Sequence, residues 1–141
     1  MNDTKEIPDL VISAAKVAAI IAKARQFDVK DVVTDPDSAS NASDDAMLSV
    51  LEDHGDDPVR TELRSMIRGL NVDEQIDLVA MAWLGRGDGD LDDWNDIRAE
   101  ASRAHNRRTA QYLMGMPLLG DVLEEGLSQF GHSLEEFEQP V

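Results

Sequence analysis

Apolar residues recur along this chain with the 3.6-residue period of α-helices, and no segment keeps the alternation of a half-buried strand. Leu10, Val11, Ala14, Ala15, Val17, Ala18, Ile21 and Ala22 face a narrow stripe of Ser13, Lys16 and Lys23. They predict a helix over 9–27 whose wide apolar face suits a central position. Residues 28–43 turn polar and predict a loop. A short helix follows over 44–53, capped by Ser43 and carrying Met47, Leu48 and Leu51 on one side. Asp57 and Pro58 open a helix over 58–69, with Val59, Leu63, Met66, Ile67 and Leu70 in register and Gly69 as its stop. Asn71 and Glu74 have the spacing of a capping box for a helix over 72–84 that ends at Gly85. A long helix is expected over 93–114, then a break at Gly115-Met116-Pro117 and a last helix over 117–130. Gly126 inside that helix costs about 1 kcal/mol against alanine, which implies that a neighbouring backbone packs closely there. The acidic tail, 132–141, is expected to fray, although Ser133 and Glu136 can cap one further turn. The pattern predicts an all-α fold, a compact bundle of about five main helices forming a single domain over 1–141.

Composition agrees with helices and narrows the function. The chain has 141 residues, 42% of them hydrophobic but only 4% aromatic, enough for one core. Its net charge of −16 is unevenly placed. Residues 28–62 hold eleven acids against two bases, whereas Arg98, Arg103, Arg107 and Arg108 cluster against the lone Glu100. Such acidity argues against nucleic-acid binding by counterion release and favours cationic partners. There is no cysteine, which removes disulfides, thiolate metal sites and a cysteine nucleophile. The apolar run from Leu10 to Ala22 is too short to span a membrane, and the acidic residues before it have the wrong sign for a secretory signal. A cytoplasmic protein is expected.

Three groups of residues carry candidate chemistry. Asp88, Asp90 and Asp92 have the alternate spacing that opens a calcium loop. The sixth loop position, however, is Asp93 rather than glycine, the eighth is Asn95 and the twelfth is Ala99. A turn explains the same residues with fewer exceptions: Gly85, Gly87 and Gly89 supply positive φ, and Asp90 or Asp92 caps the next helix. The second group, His105, Arg108 and Tyr112, continues the face of Trp94, Ile97, Ala101 and Ala104 along the long helix. That arrangement would make an anion pocket with Arg108 as clamp, or else a rim of packed rings and ion pairs. The third is an interaction corner of Trp83, Arg86, Asp88 and Trp94 with Arg103 and Arg107 beside it. No metal-protease motif, phosphate loop or nucleophile elbow is present in the sequence, and no cofactor is expected.

The segments NVDEQIDLVAMAWLGRGD, then Trp94, then RRTAQYLMGMPLLGDVLEEGL resemble an uncharacterised bacterial family, the domain of unknown function 3775, over about residues 70–127. The resemblance implies a small helical protein and carries no catalytic or ligand-binding residue over to this chain. The expected function is therefore a non-enzymatic interaction or regulatory module acting through a protein partner or self-association. The alternatives are a divalent-ion-responsive module at Asp88, Asp90 and Asp92, and an enzyme or small-anion binder at His105, Arg108 and Tyr112.

Overall fold

The computed structural model describes residues 7–40 and 57–138, the backbone alone for 29–40. The helix expected over 44–53 lies outside the described residues. The described residues contain six α-helices and two 3-10 turns: α1 Ala14–Ser40, α2 Pro58–Arg68, α3 Val72–Arg86, a turn at Leu91–Asp93, α4 Trp94–Ala104, α5 Thr109–Met114, α6 Leu119–Gln129 and a turn at Leu134–Phe137. No strand occurs among the described residues. The fold is all-α.

The central helix is α3, not the first helix. Residues 76–82 are buried without interruption, and Leu84 is buried beyond them, as befits a helix surrounded on all sides. It packs against α4 and α6, while α1 lies against α2 and α6. The broad apolar face of α1 divides on folding: Val17, Ala18, Ile20, Ile21 and Ala24 are buried, whereas Ala15, Ala19 and Ala22 face outward.

Two glycines set the distance between α3 and α6. A Cβ on Gly85 would stand 1.7 Å from the carbonyl oxygen of Val122, and one on Gly126 would stand 2.5 Å from that of Met81. The close approach expected at Gly126 is therefore present, and Gly85 is its counterpart. Gly85 lies inside α3 rather than after it. The helix ends at Gly87, whose φ of 98° makes it the left-handed cap. Only Gly87 of the three glycines 85, 87 and 89 adopts positive φ.

Helix starts follow local chemistry. Asp57 accepts from the N–H groups of Val59 and Arg60, and Asn71 and Glu74 close their capping box. The start of α1 is five residues later than expected, because the Ser13 hydroxyl accepts the N–H of Lys16 and so acts as the cap. Its end is later too. With neither glycine nor proline between Phe27 and Asp35, the helix continues to Ser40 through most of the loop expected over 28–43. The tail expected to fray from 132 instead forms a turn at Leu134–Phe137, closed by a Ser133–Glu136 capping box; residues 139–141 lie outside the description.

The long helix expected over 93–114 is two helices. The chain leaves the helical region at His105, with ψ 134°. The Asn106 side chain then accepts the N–H of Arg108 at 2.7 Å, and the Thr109 hydroxyl donates to the Asn106 carbonyl at 2.8 Å. Side chains that bond nearby backbone in this way compete with helical bonding.

Glu74 is buried at the start of α3, where Lys16 of α1 donates to it at 2.8 Å. The Lys16 ammonium, followed by the N–H of Asn71, holds the Glu74 carboxyl below its ordinary value of 4.5. A depressed carboxylate contributes stability above its unfolded pKa and loses it as pH falls through the folded value. Glu74→Gln, which still caps Asn71 but cannot ionise, is expected to melt below the wild type at pH 7. The two melting temperatures should converge as pH falls from 4.5 toward 3. A gap that stayed constant would show that the ion pair contributes nothing.

Candidate functional site

Two cavities open on either side of Trp83, a half-buried residue near the end of α3. The larger is an open groove of about 540 Å³ between the end of α3 and the outer face of α4. Trp83 and Ile97 give it apolar surface, and its walls carry Arg86 and the carboxylates of Asp88, Asp93, Asp96 and Glu100. The Arg86 guanidinium grips Asp88 with two bonds, 3.3 Å from Nε and 2.6 Å from Nη2, and stands 6.0 Å from the centre of the Trp83 ring. Each holds the other charged: Asp88, and less so Tyr112, raises Arg86, while Arg86 lowers Asp88. Arg86 is thus committed within the groove, and the remaining carboxylates leave it negative.

The smaller cavity, about 220 Å³, lies where α4 gives way to α5. Val79, Ala101 and Ala104 line it with small apolar groups, and His105, Arg108 and Tyr112 also border it. The three polar residues expected on one continuous helix face do meet, but the break at Asn106 brings them together: His105 ends α4, Arg108 precedes α5 and Tyr112 belongs to α5. Trp83 donates from its indole Nε1 to the Tyr112 hydroxyl at 2.8 Å, so one hydrogen bond stands between the two cavities.

Other expected site residues are placed differently. Trp94 is 2% exposed and meets the ring of Phe130 edge-on at 4.8 Å; it belongs to the core and not to an interaction surface. The physical reason is its register, since Trp94, Ile97 and Ala101 form the buried face of α4. Arg103 bonds Glu100 at 2.6 Å on the exposed side of α4, and Arg107 is exposed. Asp88 and Asp90 do not converge. Asp88 faces Arg86, while Asp90 accepts the N–H of Asp92 at 3.2 Å and is itself reached by the Asp93 carboxylate, which accepts the Asp90 N–H at 3.0 Å. Asp90 is the cap that the turn requires. Among the described residues no three acidic or histidine side chains form a group that could hold a metal ion.

Two positions that brace the site are not marked by the sequence pattern. Asp77 is completely buried in the middle of α3. One oxygen accepts the N–H groups of Val11 and Ile12 at 2.5 and 3.1 Å, and the other accepts Arg98 Nε at 2.6 Å. It fixes both the segment before α1 and the helix that carries the acidic wall. Gln75 links α2 to the smaller cavity: its amide donates to the carbonyls of Ile67 and Leu70, each at 3.2 Å, and its oxygen lies 2.8 Å from His105 Nε2. A lone acid inside the apolar run IDLVAMAWL was the available signal for Asp77. Nothing local marks Gln75.

No described helix is long and apolar enough to cross a membrane. No curated protein and no solved structure matches the chain. A family match exists, and it takes in α2 from its third residue, all of α3 to α6, and both cavities. Residues 60–132, more than half of the chain and wider than the expected span, match the family described as a protein of unknown function (DUF3775), and the chain belongs to that family.

Proposed function

We propose that the protein is a non-enzymatic interaction module that takes a basic segment of a partner protein into the groove between the end of α3 and α4. The observation that carries this reading is the composition of the groove: apolar Trp83 and Ile97 flanked by the carboxylates of Asp93, Asp96 and Glu100, with its one arginine already bound to Asp88. An apolar anchor beside carboxylates that outnumber the cations near them, with Glu100 shared with Arg103, suits a segment carrying an aliphatic or aromatic side chain between lysines or arginines. A net charge of −16 makes copies repel one another, so a different protein is favoured over self-association.

The groove makes the reading testable without disturbing the core, because Asp96 and Glu100 are exposed. The wild-type chain is used to capture a partner from extract, and the pair is then rebuilt from purified components. At about 0.15 M salt, Asp96→Lys with Glu100→Lys should weaken binding at least tenfold, roughly 1.4 kcal/mol. The wild-type affinity should itself fall as salt is raised. A reconstituted complex that tolerates both reversals, or an extract that yields no partner able to reconstitute, would remove this reading.

A further inference from the structure

We propose that the smaller cavity binds a small organic acid, specifically a 2-hydroxy acid with a compact apolar body. At about 220 Å³ it is below the roughly 300–1,000 Å³ of sites for drug-sized ligands. It exceeds the roughly 150 Å³ that suffices for benzene. One ring or a short branched chain with a carboxylate fits that range. Ala101 and Ala104, where α4 offers only methyl groups, leave the volume open.

The polar groups at the rim can be assigned donor and acceptor roles. Both hydrogens of the Gln75 amide go to the carbonyls of Ile67 and Leu70, so its oxygen must be the atom facing His105 Nε2. An amide oxygen only accepts, and therefore His105 donates from Nε2. In the neutral ring Nδ1 is then an acceptor, and no described residue bonds to it. Indole and guanidinium nitrogens only donate, so the Tyr112 oxygen is the acceptor toward both Trp83 and Arg86, and its own proton is left for another partner.

Arg108 supplies the charge. Lys16, Lys23, Arg25, Arg86, Arg98 and Arg103 all pair with carboxylates. Arg108 has no such pair among the described residues; the same holds for Arg60, Arg64, Arg68 and Arg107, but of these five only Arg108 borders the cavity. The Asn106 turn fixes its backbone at the cavity rim.

Two donors, Arg108 and the Tyr112 hydroxyl, beside one acceptor, His105 Nδ1, match a carboxylate with an adjacent hydroxyl. An amino acid is a poorer match: no aspartate or glutamate lines this cavity to receive an ammonium group. That omission is specific in so acidic a protein, since the neighbouring groove has four.

The test is thermal melting and tryptophan fluorescence of the whole chain with phenyllactate, mandelate and 2-hydroxyisocaproate, each beside the amino acid of the same skeleton. At least one hydroxy acid should raise Tm, on the order of 5 °C at a hundred times its Kd. Its amino counterpart should bind at least tenfold more weakly. Arg108→Ala should abolish the shift, Tyr112→Phe should weaken binding several-fold, and Ala104→Met should block it by filling the cavity. These three sites are exposed, and the unliganded melt of each variant verifies its folding. No shift with any of the three acids, equal binding of the amino acids, or a shift retained in Arg108→Ala would overturn the assignment. The partner-binding experiment alters only Asp96 and Glu100, so the two readings fail separately.

Discussion

Gly85→Ala is expected to destabilise the protein by about 3 kcal/mol, read as a fall in Tm of roughly 10 °C. On an isolated helix the same change would be favourable by about 1 kcal/mol. Here the new methyl would lie 1.7 Å from the Val122 oxygen, 2.7 Å from the Val122 carbonyl carbon and 3.0 Å from Gly126 N. All three are backbone atoms of α6, so no side-chain rotation relieves the overlap and the two helices must separate. Separation would loosen the buried contacts of Met81, Leu123 and Leu127 together. Two further glycines provide a scale. Gly87 has open space but φ 98°, and alanine there should cost about 1 kcal/mol from conformation alone. Gly115 meets nothing nearer than 3.5 Å and has ordinary φ, so Gly115→Ala should change Tm by no more than about 2 °C. Urea or thermal denaturation of the three variants would establish the order, and a Gly85→Ala protein as stable as the wild type would mean that α3 and α6 do not cross at this distance.

What could be read ahead of the structure divides along the same line, between local and non-local chemistry. Asp57, Asn71, Glu74, Asp90 and Ser133 act within a few residues of themselves, and their capping roles follow from spacing. The cost of Gly126 inside a helix likewise pointed to a close backbone. Its partner was another matter, because Gly85 looks in sequence like a helix stop and only the crossing with α6 reveals its use. Trp94 has the composition of a binding residue and the position of a core one; its register with Ile97 decided the matter. The spacing of His105, Arg108 and Tyr112 suggests one continuous helix, which the structure does not have. They meet because Asn106 and Thr109 bond the backbone and turn the chain. The acidic groove joins residues from the end of α3, the 3-10 turn and α4, and its shape depends on packing that no single segment encodes.

Asp77→Ala is expected to cost about 3 kcal/mol. The carboxylate is fully buried and takes three hydrogen bonds, two from backbone N–H groups before α1 and one from Arg98. Its removal leaves the Val11 and Ile12 N–H groups unmatched and deprives Arg98 of its closest partner. The estimate stays at the lower end because Arg98 keeps 29% of its side chain exposed and can recover water, while Asp73 remains 3.8 Å away. Asp77→Asn should recover only part of the loss. Whichever way the amide is turned, its NH2 must face either the backbone donors or the guanidinium, donor against donor. Pairing each change with Arg98→Met separates the terms: the double variant should be more stable than the sum of the single losses implies, by about 1 kcal/mol or more. Hydrogen exchange adds the structural readout, since the Ile12 amide should lose protection in Asp77→Ala and keep it in Arg98→Met. Simple additivity with unchanged exchange at Ile12 would show that Asp77 is merely enclosed there. Coupling would instead make it the link that ties the segment before α1, the central helix and the acidic wall of α4 into one unit, so that the groove keeps its shape only while that carboxylate is held.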